Sequence, residues 1–165
     1  MSTIGFDTSN YTTSTAWTDG KTDINVRQIL YVKDGERGIR QSDGVFQHMK
    51  LMPVMYEKLS EQIDFKDVKA VGVSTRPRCV EGSYMPVFLA GEGYAKVVAN
   101  TVGVPLYEFS HQDGHIMAGI YSSGSFELLE NDFISVHLSG GTTEILKSRY
   151  NGFNFDNEII GGSKD

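Results

Sequence analysis

The sequence predicts an α/β fold that begins with three antiparallel strands and continues with alternating helices and strands. Short runs with strand character occupy residues 4–6, 12–18 and 24–32 and are separated by turn residues. Apolar residues then recur at spacings of four and three between Val45 and Leu59, which indicates a helix. Further strand and helix patterns follow in alternation, as they do in layered α/β proteins.

The first three strands are predicted to form a meander. Residues 7–12 make a tight corner between the first two strands, and Asp19-Gly20 is a strong signal for the next turn. The third strand is predicted to run through Leu30 and Val32. Pro53 falls inside the helix that follows and is expected to kink it or to start a second segment, because proline lacks the N–H of the helical hydrogen bond.

Two strands and two helices complete this part of the chain. A buried strand covers residues 68–73 and ends in a loop at 74–78, and a helix rich in small residues covers 87–102. Another strand at 104–107 leads into one more helix. Three antiparallel strands followed by right-handed βα crossovers are the arrangement of a ribonuclease-H-like lobe, the class shared by actin-like ATPases and sugar kinases.

The strand pattern restarts in the last part of the chain. Strands are predicted at residues 133–138, 142–147 and 153–160. This repeat of the opening pattern predicts a first lobe at residues 1–128 and an incomplete second lobe at 129–165. Because no helix follows to cover the new strands, we expect a fragment, a split-gene product or one piece of a complex. Uncovered strands also predict dimerisation or strand exchange through residues 131–160.

Composition limits the class of protein. The 165 residues carry a net charge of −6, which argues against a chain that grips nucleic acid by itself. Arg76 and Arg78, in a predicted loop, are nevertheless candidates for contact with an anion or RNA. The single cysteine suits a reducing cytosol, and neither a signal peptide nor an apolar run of membrane length is visible. We therefore expect a cytoplasmic protein without a membrane partner.

Two histidines four residues apart, His111 and His115, form the most informative motif of the chain. On a helix, residues at this spacing share one face, so both imidazoles can reach one metal ion. Two ligands make an incomplete site, because a catalytic metal usually has three protein ligands and an open position. The alternative is a pair of surface histidines spaced by chance, since no glutamate follows His111 as the zinc-protease motif requires.

Two polar corners are candidates for binding phosphate groups. In folds of this class two strand–corner–strand hairpins hold a nucleotide, and backbone N–H groups beside short hydroxyls supply the chemistry. Residues 139–143, Ser-Gly-Gly-Thr-Thr, fit this well. Residues 7–13 fit in part, and Asp7 would need a bridging cation or water molecules there. The alternative for each corner is an ordinary polar turn.

The motifs together have the order found in a known family. They are Asp7-Thr8-Ser9, Gln47-His48, the segment 82–86, the segment 111–115 and the segment 138–143. On these segments the chain resembles the glycoprotease family, once described as O-sialoglycoprotein endopeptidases. Its best-known members are the catalytic subunits of tRNA threonylcarbamoyladenosine synthesis. The resemblance spans essentially all of the chain.

The resemblance implies transfer of threonylcarbamoyl from its AMP adduct to N6 of a tRNA adenosine. It implies one divalent metal ion, iron or zinc, on His111 and His115, with an aspartate of the second lobe that this chain lacks; magnesium would accompany the nucleotide. The partners implied are an adenine nucleotide and, only within a larger complex, tRNA. The residues implied to bind nucleotide or substrate are His137, Leu138, Ser139, Gly140, Gly141, Thr142, Asp7, Thr8 and Ser9.

The chain departs from the family at both corners. Asn10-Tyr11-Thr12 stands where the family usually has Cys-Asp-Glu, and Thr142 stands where it has histidine. A divergent enzyme of this fold with another substrate is therefore an alternative. A second alternative is a non-catalytic paralogue that binds a protein partner, or a second copy, through the first lobe. The chain alone is not expected to be active.

Overall fold

The computed structural model describes all residues except 10, 37, 140, 141 and 165, and only the backbone of Ser139, Thr142 and Lys164. The strands are β1 (Ser2–Asp7), β2 (Thr12–Thr18), β3 (Asp23–Ile29), β4 (Val68–Arg76), β5 (Leu106–Ser110), β6 (Phe133–Ser139), β7 (Thr142–Tyr150) and β8 (Phe155–Lys164). The helices are α1 (Gln41–Ser60), α2 (Phe88–Val102) and α3 (His111–Ser123), with short 3₁₀ turns at Phe65–Asp67 and Phe126–Glu130.

The first sheet has five strands in the order β3-β2-β1-β4-β5. The pairs β1–β2 and β2–β3 are antiparallel, whereas β4 runs parallel to both β1 and β5. Parallel neighbours require a crossover, and α1 and α2 supply it between β3 and β4 and between β4 and β5. This topology confirms the predicted ribonuclease-H-like arrangement.

The core of this sheet lies under α1 and α2. Alternate residues of β1 are buried, so Ile4 and Phe6 face the helices. Met52 from α1 and Ala95 from α2 pack in the same cluster. Each large apolar side chain buried here contributes about 1.5–3 kcal/mol to folding. The core therefore fixes the end of β1, where the first polar corner begins.

Helix α1 is a single element with Pro53 inside it. Of the two outcomes predicted for Pro53, a kink or a second segment, the second segment is therefore wrong and the kink stays a prediction. Proline cannot donate to the carbonyl four residues earlier, which leaves the oxygen of Met49 without its helical partner. The Tyr94 hydroxyl of α2 donates to that oxygen at 3.0 Å. A neighbouring helix thus satisfies the carbonyl that Pro53 leaves unpaired, and α1 continues to Ser60.

Several strand ends differ from the sequence prediction, and the cause is visible for β3 and β4. β3 ends at Ile29 and does not reach Val32. The amide side chain of Gln47 pairs with the backbone of Tyr31 through two hydrogen bonds, which replaces further strand pairing there. β4 continues to Arg76 where a loop from residue 74 was predicted, because it stays paired with β5 as far as Ser110.

The second sheet has three antiparallel strands in the order β6-β7-β8. Successive residues of β6 point to opposite faces, and Ile134, Val136 and Leu138 are all exposed. On the other face Leu146 and Phe155 are buried. One face of this sheet therefore packs and the other exposes apolar side chains.

The chain forms two compact units. The first comprises Met1–Pro77 and Gly82–His111, and the second comprises Arg78–Glu81 and Gln112–Asp165. These units divide the chain differently from the predicted lobes at 1–128 and 129–165, and the lobe boundary stays a prediction. In the described part of the chain, every helix is too short or too polar to cross a membrane.

Candidate functional site

The carboxylate of Asp7, the last residue of β1, is the centre of the first polar corner. Nδ1 of His111 lies 2.8 Å from its Oδ2, and the backbone N–H of Ser9 donates to its Oδ1 at 2.7 Å. The hydroxyl of Ser74 in β4 donates another hydrogen bond. Burial alone would raise the pKa of Asp7, but these hydrogen bonds and the charge of His111 lower it to about 2. Asp7 is therefore ionised at neutral pH.

This hydrogen bond determines which nitrogen of His111 can bind an ion. Because the Asp7 carboxylate only accepts, Nδ1 of His111 carries a hydrogen, and Nε2 is the ring nitrogen that could bind an ion. A carboxylate behind Nδ1 is the common arrangement at metal-binding histidines, since it fixes the tautomer and raises the basicity of Nε2. The environment of His111 thus fits the predicted role of a metal ligand.

His115 is exposed and follows His111 by four residues on α3, so the predicted helical spacing is confirmed. Among the described residues, no group of three or more His, Cys, Asp or Glu side chains is positioned to hold a metal ion. Metal binding by the pair stays a prediction.

Thr8 is a fully buried anchor between the first corner and α2. Its hydroxyl donates to the carbonyl of Val87 at 2.8 Å and accepts from the N–H of Gly91 at 3.0 Å. A Cβ at Gly91 would lie 2.8 Å from this hydroxyl, so only glycine allows the close approach. The Thr8 hydroxyl therefore points into the protein, and Asp7 and Ser9 are the side chains of this corner that are partly exposed.

Beneath the corner lies His48, a fully buried histidine of α1. Its Nδ1 is 2.8 Å from the Thr13 hydroxyl of β2. Burial lowers the pKa of His48 to about 4, although the charge of Asp7 acts in the opposite direction. His48 is thus a neutral structural group at physiological pH.

The second corner joins β6 and β7 within the second compact unit. His137 lies directly opposite Glu144 in the strand pairing, with 4.0 Å between its Nδ1 and Oε2 of the glutamate. Glu144 is buried, and its Oε1 forms an ion pair with Arg78 at 2.8 Å. The ring centres of His137 and His115 are 5.7 Å apart. Leu138, the next residue, is 73% exposed and lies on the opposite face of β6.

The remaining residues predicted for this corner cannot be compared with the structure. Gly140 and Gly141 lie outside the described residues, and the side chains of Ser139 and Thr142 are also outside the description. Their role in nucleotide or substrate binding stays a prediction.

Sequence reasoning missed Ser74, Gly91 and Glu144. Glu144 sits in a run of alternating polar and apolar residues, where a buried carboxylate has no signature of its own. Arg78, predicted in a loop as an anion or RNA contact, is engaged with Glu144. Glu144 could have been found from the strand register: pairing residue 139 with residue 142 places residue 144 opposite residue 137.

Each unit also has a cleft. In the first unit a cleft of about 530 Å³ lies between α1 and α2, with Met52, Tyr56, Tyr94 and Val97 in its wall. In the second unit a cleft of about 380 Å³ is lined by Arg78, Gln112 and Asn157 among others. The first is largely apolar, which is typical of a surface that binds another protein or a hydrophobic segment.

Relatives with curated names share one activity. The chain is 32% identical over 117 residues to a tRNA N6-adenosine threonylcarbamoyltransferase of Christiangramia forsetii, covering 70% of this chain and 32% of the relative. It is 28% identical over 144 residues to the enzyme of that name from Pyrobaculum calidifontis, covering 86% and 40%. The chain thus spans about a third to two-fifths of the length of these relatives.

Solved structures support the fold. YeaZ from Pseudomonas aeruginosa superposes with a TM-score of 0.58 at 10% identity, covering 99% of this chain and 68% of that one. The ethanolamine utilization protein EutJ from Carboxydothermus hydrogenoformans gives 0.50 at 18% identity, covering 98% and 53%. The sequence profile of the tRNA N6-adenosine threonylcarbamoyltransferases matches residues 35–163. By this match and by its relatives, the chain belongs to the TsaD family of tRNA N6-adenosine threonylcarbamoyltransferases.

Proposed function

We propose that this chain is the metal- and nucleotide-handling part of an enzyme that transfers threonylcarbamoyl from its AMP adduct to N6 of a tRNA adenosine. The observation that carries the proposal is the Asp7–His111 hydrogen bond at the end of β1. It orients one imidazole of the histidine pair for metal binding, and family membership supplies the reaction.

The residues divide the work as follows. His111 and His115 would hold one divalent ion, iron or zinc, through imidazole nitrogens, and Asp7 holds the ring of His111 in place. When bound, such an ion polarises the carbamoyl carbonyl for attack by the adenine amine. The segment 137–142 would bind the adenylate part of the substrate through backbone N–H groups and hydroxyls, and Ser9 would add a hydroxyl at the first corner.

Positioning is the main contribution expected of the protein. The amine of the acceptor forms a bond to the carbamoyl carbon as the bond to the AMP oxygen breaks, and the proton that the amine loses passes to solvent. No side chain needs to act as a nucleophile. Holding donor and acceptor in this geometry lowers the barrier. The exposed Cys79 then has no chemical task.

A protein partner is the second part of the proposal. The helices α1 and α2 expose large apolar side chains at Phe46, Met49, Val54, Leu89 and Val97, and Val54 and Val97 line the cleft between the helices. Surfaces of this kind mark protein-binding sites. We propose that a protein partner, with a second copy of this chain as the one to test, covers this face in the cytoplasm, and that tRNA binds only to the larger assembly because the chain is acidic.

The metal content of the purified chain tests the proposal. Elemental mass spectrometry should find iron or zinc near one ion per chain, and the His111→Ala/His115→Ala double variant should contain none. In parallel, calorimetric titration with AMP should detect binding that Ser139→Ala weakens. Absence of metal and of AMP binding in the parent chain would contradict the enzymatic proposal.

A further inference from the structure

The cleft in the second compact unit has a wall that combines apolar side chains with two amides. Its volume is about 380 Å³, and Val80, Leu146 and Ile159 supply much of its apolar lining. Gln112 of α3 and Asn157 of β8 line the same cleft. All five residues belong to the second unit, and none of them is among the residues proposed to hold metal or nucleotide. The cleft is therefore a candidate for a binding site beyond the proposed function.

The two amides have hydrogen-bonding capacity that the described residues do not use. Gln112 is 5% exposed, and its Nε2 is buried without a hydrogen-bond partner in this part of the chain. Both polar atoms of the Asn157 side chain are buried and unpartnered there as well. Buried polar atoms are nearly always hydrogen-bonded, because leaving them unpaired costs free energy. Three such atoms in the wall of one cleft indicate that a molecule in the cleft supplies their partners.

The backbone holds these side chains in place, whereas their amide groups can turn. In the pairing of β7 with β8, Asn157 lies opposite Ser148 and Ile159 lies opposite Leu146, so these four side chains share one face of the sheet. Gln112 is the second residue of α3. The last torsion of an asparagine or glutamine side chain has a broad, shallow profile. Both amides can therefore turn an edge towards a molecule that enters the cleft.

The charges at the cleft favour an uncharged ligand. The cation of Arg78 is neutralised by the buried Glu144, with 2.8 Å between Nη2 and Oε1. The carboxylate of Asp156 is exposed in the wall and accepts a hydrogen bond from the Asn151 amide at 3.0 Å. An anion would be repelled by Asp156, and a cation would be repelled by Arg78. A neutral molecule meets neither penalty.

The amides also determine which hydrogen-bonding edge the ligand needs. A carboxamide presents an N–H donor beside a C=O acceptor, and it pairs with an edge that offers the same two groups in reverse order. Flat rings with a lactam or a carboxamide group carry such an edge, and their faces can pack on an apolar wall. The volume lies near the lower end of the range of about 300–1,000 Å³ that is usual for small-molecule sites. The cleft therefore suits a small ring system.

We propose that this cleft binds an uncharged, planar ring compound with an N–H beside a C=O, as in a pyrimidine base or an aromatic carboxamide. Gln112 and Asn157 pair with that edge, and Val80, Leu146 and Ile159 contact the ring. The inference goes beyond the proposed function and does not depend on it.

The single cysteine of the chain makes the proposal measurable. Cys79 is exposed and lines the cleft, so the rate at which N-ethylmaleimide modifies its thiol reports whether the cleft is occupied. Uracil should slow this modification in the full chain, with a Kd of about 1 mM for so small a ligand. Nicotinamide should act in the same way. Dimethyluracil, in which both ring nitrogens are methylated, and orotate, which carries a carboxylate, should each bind about tenfold more weakly.

Two variants remove the amides and nearly preserve the size of the side chains. Gln112→Met and Asn157→Leu should each weaken uracil binding by about tenfold. Because the lost atoms have no partner in the described residues, both variants should melt at the same temperature as the parent chain or higher. Gln62→Met is the matched control, since Gln62 is exposed and lies outside both clefts. It should leave uracil binding unchanged.

Each contrary outcome overturns a defined part of the proposal. If neither uracil nor nicotinamide protects Cys79, or if both amide variants are protected as the parent chain is, the cleft is not the site. Equal protection by uracil, dimethyluracil and orotate overturns the assigned ligand class. A lower melting temperature in both amide variants would show that the amides have partners within the protein. Displacement of uracil by AMP would assign the cleft to the nucleotide, and none of the other outcomes affects the proposed function.

Discussion

The two hairpin corners of this chain have the same topology but differ in how their polar groups are satisfied. At the first corner Asp7 accepts three hydrogen bonds and the Thr8 hydroxyl both donates and accepts. At the second corner Nδ1 of His137 and Oε2 of Glu144 are buried without partners in the described residues. The polar atoms of Asp7 and Thr8 are hydrogen-bonded within the protein. The two buried atoms of the second corner have no such partner among the described residues.

The two sheets also differ in how fully their apolar side chains are buried. Alternate residues of β1 are buried beneath α1 and α2, whereas Ile134, Val136 and Leu138 of β6 are all more than half exposed. Two sheets with the same strand pattern can therefore differ in how much of their apolar surface is buried. The first unit has a packed core and a hydrogen-bonded Asp7 and Thr8, although buried atoms such as Nε2 of His48 lack a hydrogen-bond partner among the described residues. The second unit exposes apolar side chains on one face of its sheet.

Acidification should weaken the first region most. Because burial lowers the pKa of His48 from 6.5 to about 4, the unfolded chain takes up a proton at a higher pH than the folded chain. The stability from neutral His48 is complete above pH 6.5 and is lost as the pH falls towards 4, by at most about 3 kcal/mol. Urea unfolding at several pH values between 7 and 4 measures this loss of stability. In His48→Gln the free energy of unfolding should depend less on pH, and the same pH dependence as in the parent chain would contradict the prediction.

A side chain at position 91 should disrupt the contact between Thr8 and α2. The new Cβ of Gly91→Ala would lie 2.8 Å from the Thr8 hydroxyl, so the free energy of unfolding should fall by about 2 kcal/mol. Gly93→Ala is the control, since nothing lies within 4 Å of its Cβ and alanine favours the helix by up to about 1 kcal/mol. Thermal unfolding compares the two, and equal effects would show that Thr8 does not hold α2 as described.

Replacing Arg78, the cation paired with Glu144, should destabilise the protein. Arg78→Met leaves the buried Glu144 carboxylate without its ion pair and should cost between about 1 and 2 kcal/mol. The effect stays below that of a fully buried pair because the Arg78 side chain is 36% exposed. Adding Glu144→Gln should recover part of the loss in a double-mutant cycle. Strictly additive losses would mean that the pair is energetically silent.

The sequence predicts the fold well because the fold depends on local patterns. Strand alternation, the apolar stripe of α1 and the small residues of α2 are all visible within windows of about 20 residues or fewer. The continuity of α1 through Pro53 is not visible there. It depends on Tyr94, which is 45 residues from Met49 in sequence. Propensity cannot anticipate a partner supplied by another helix.

The residue types of the site are predictable from the sequence, but the hydrogen-bond partners of these residues are not. The spacing of His111 and His115 identifies them as ligand candidates, and helix α3 confirms that spacing. That Thr8 turns inward to Val87, and that Asp7 fixes His111, follows only from contacts between residues 79 and 104 positions apart. Such pairings become visible only once the strand order places these residues together.

The Asp7–His111 contact also bears on how the protein assembles. The two residues are 104 positions apart, and the sheet that brings them together has β4 between β1 and β5. Closing so long a loop is entropically unfavourable until the intervening strands are in place. We therefore expect the oriented imidazole to form late in folding. In a zinc finger the ion nucleates the fold, whereas the proposed metal ion would here meet a His111 that the folded chain has already oriented.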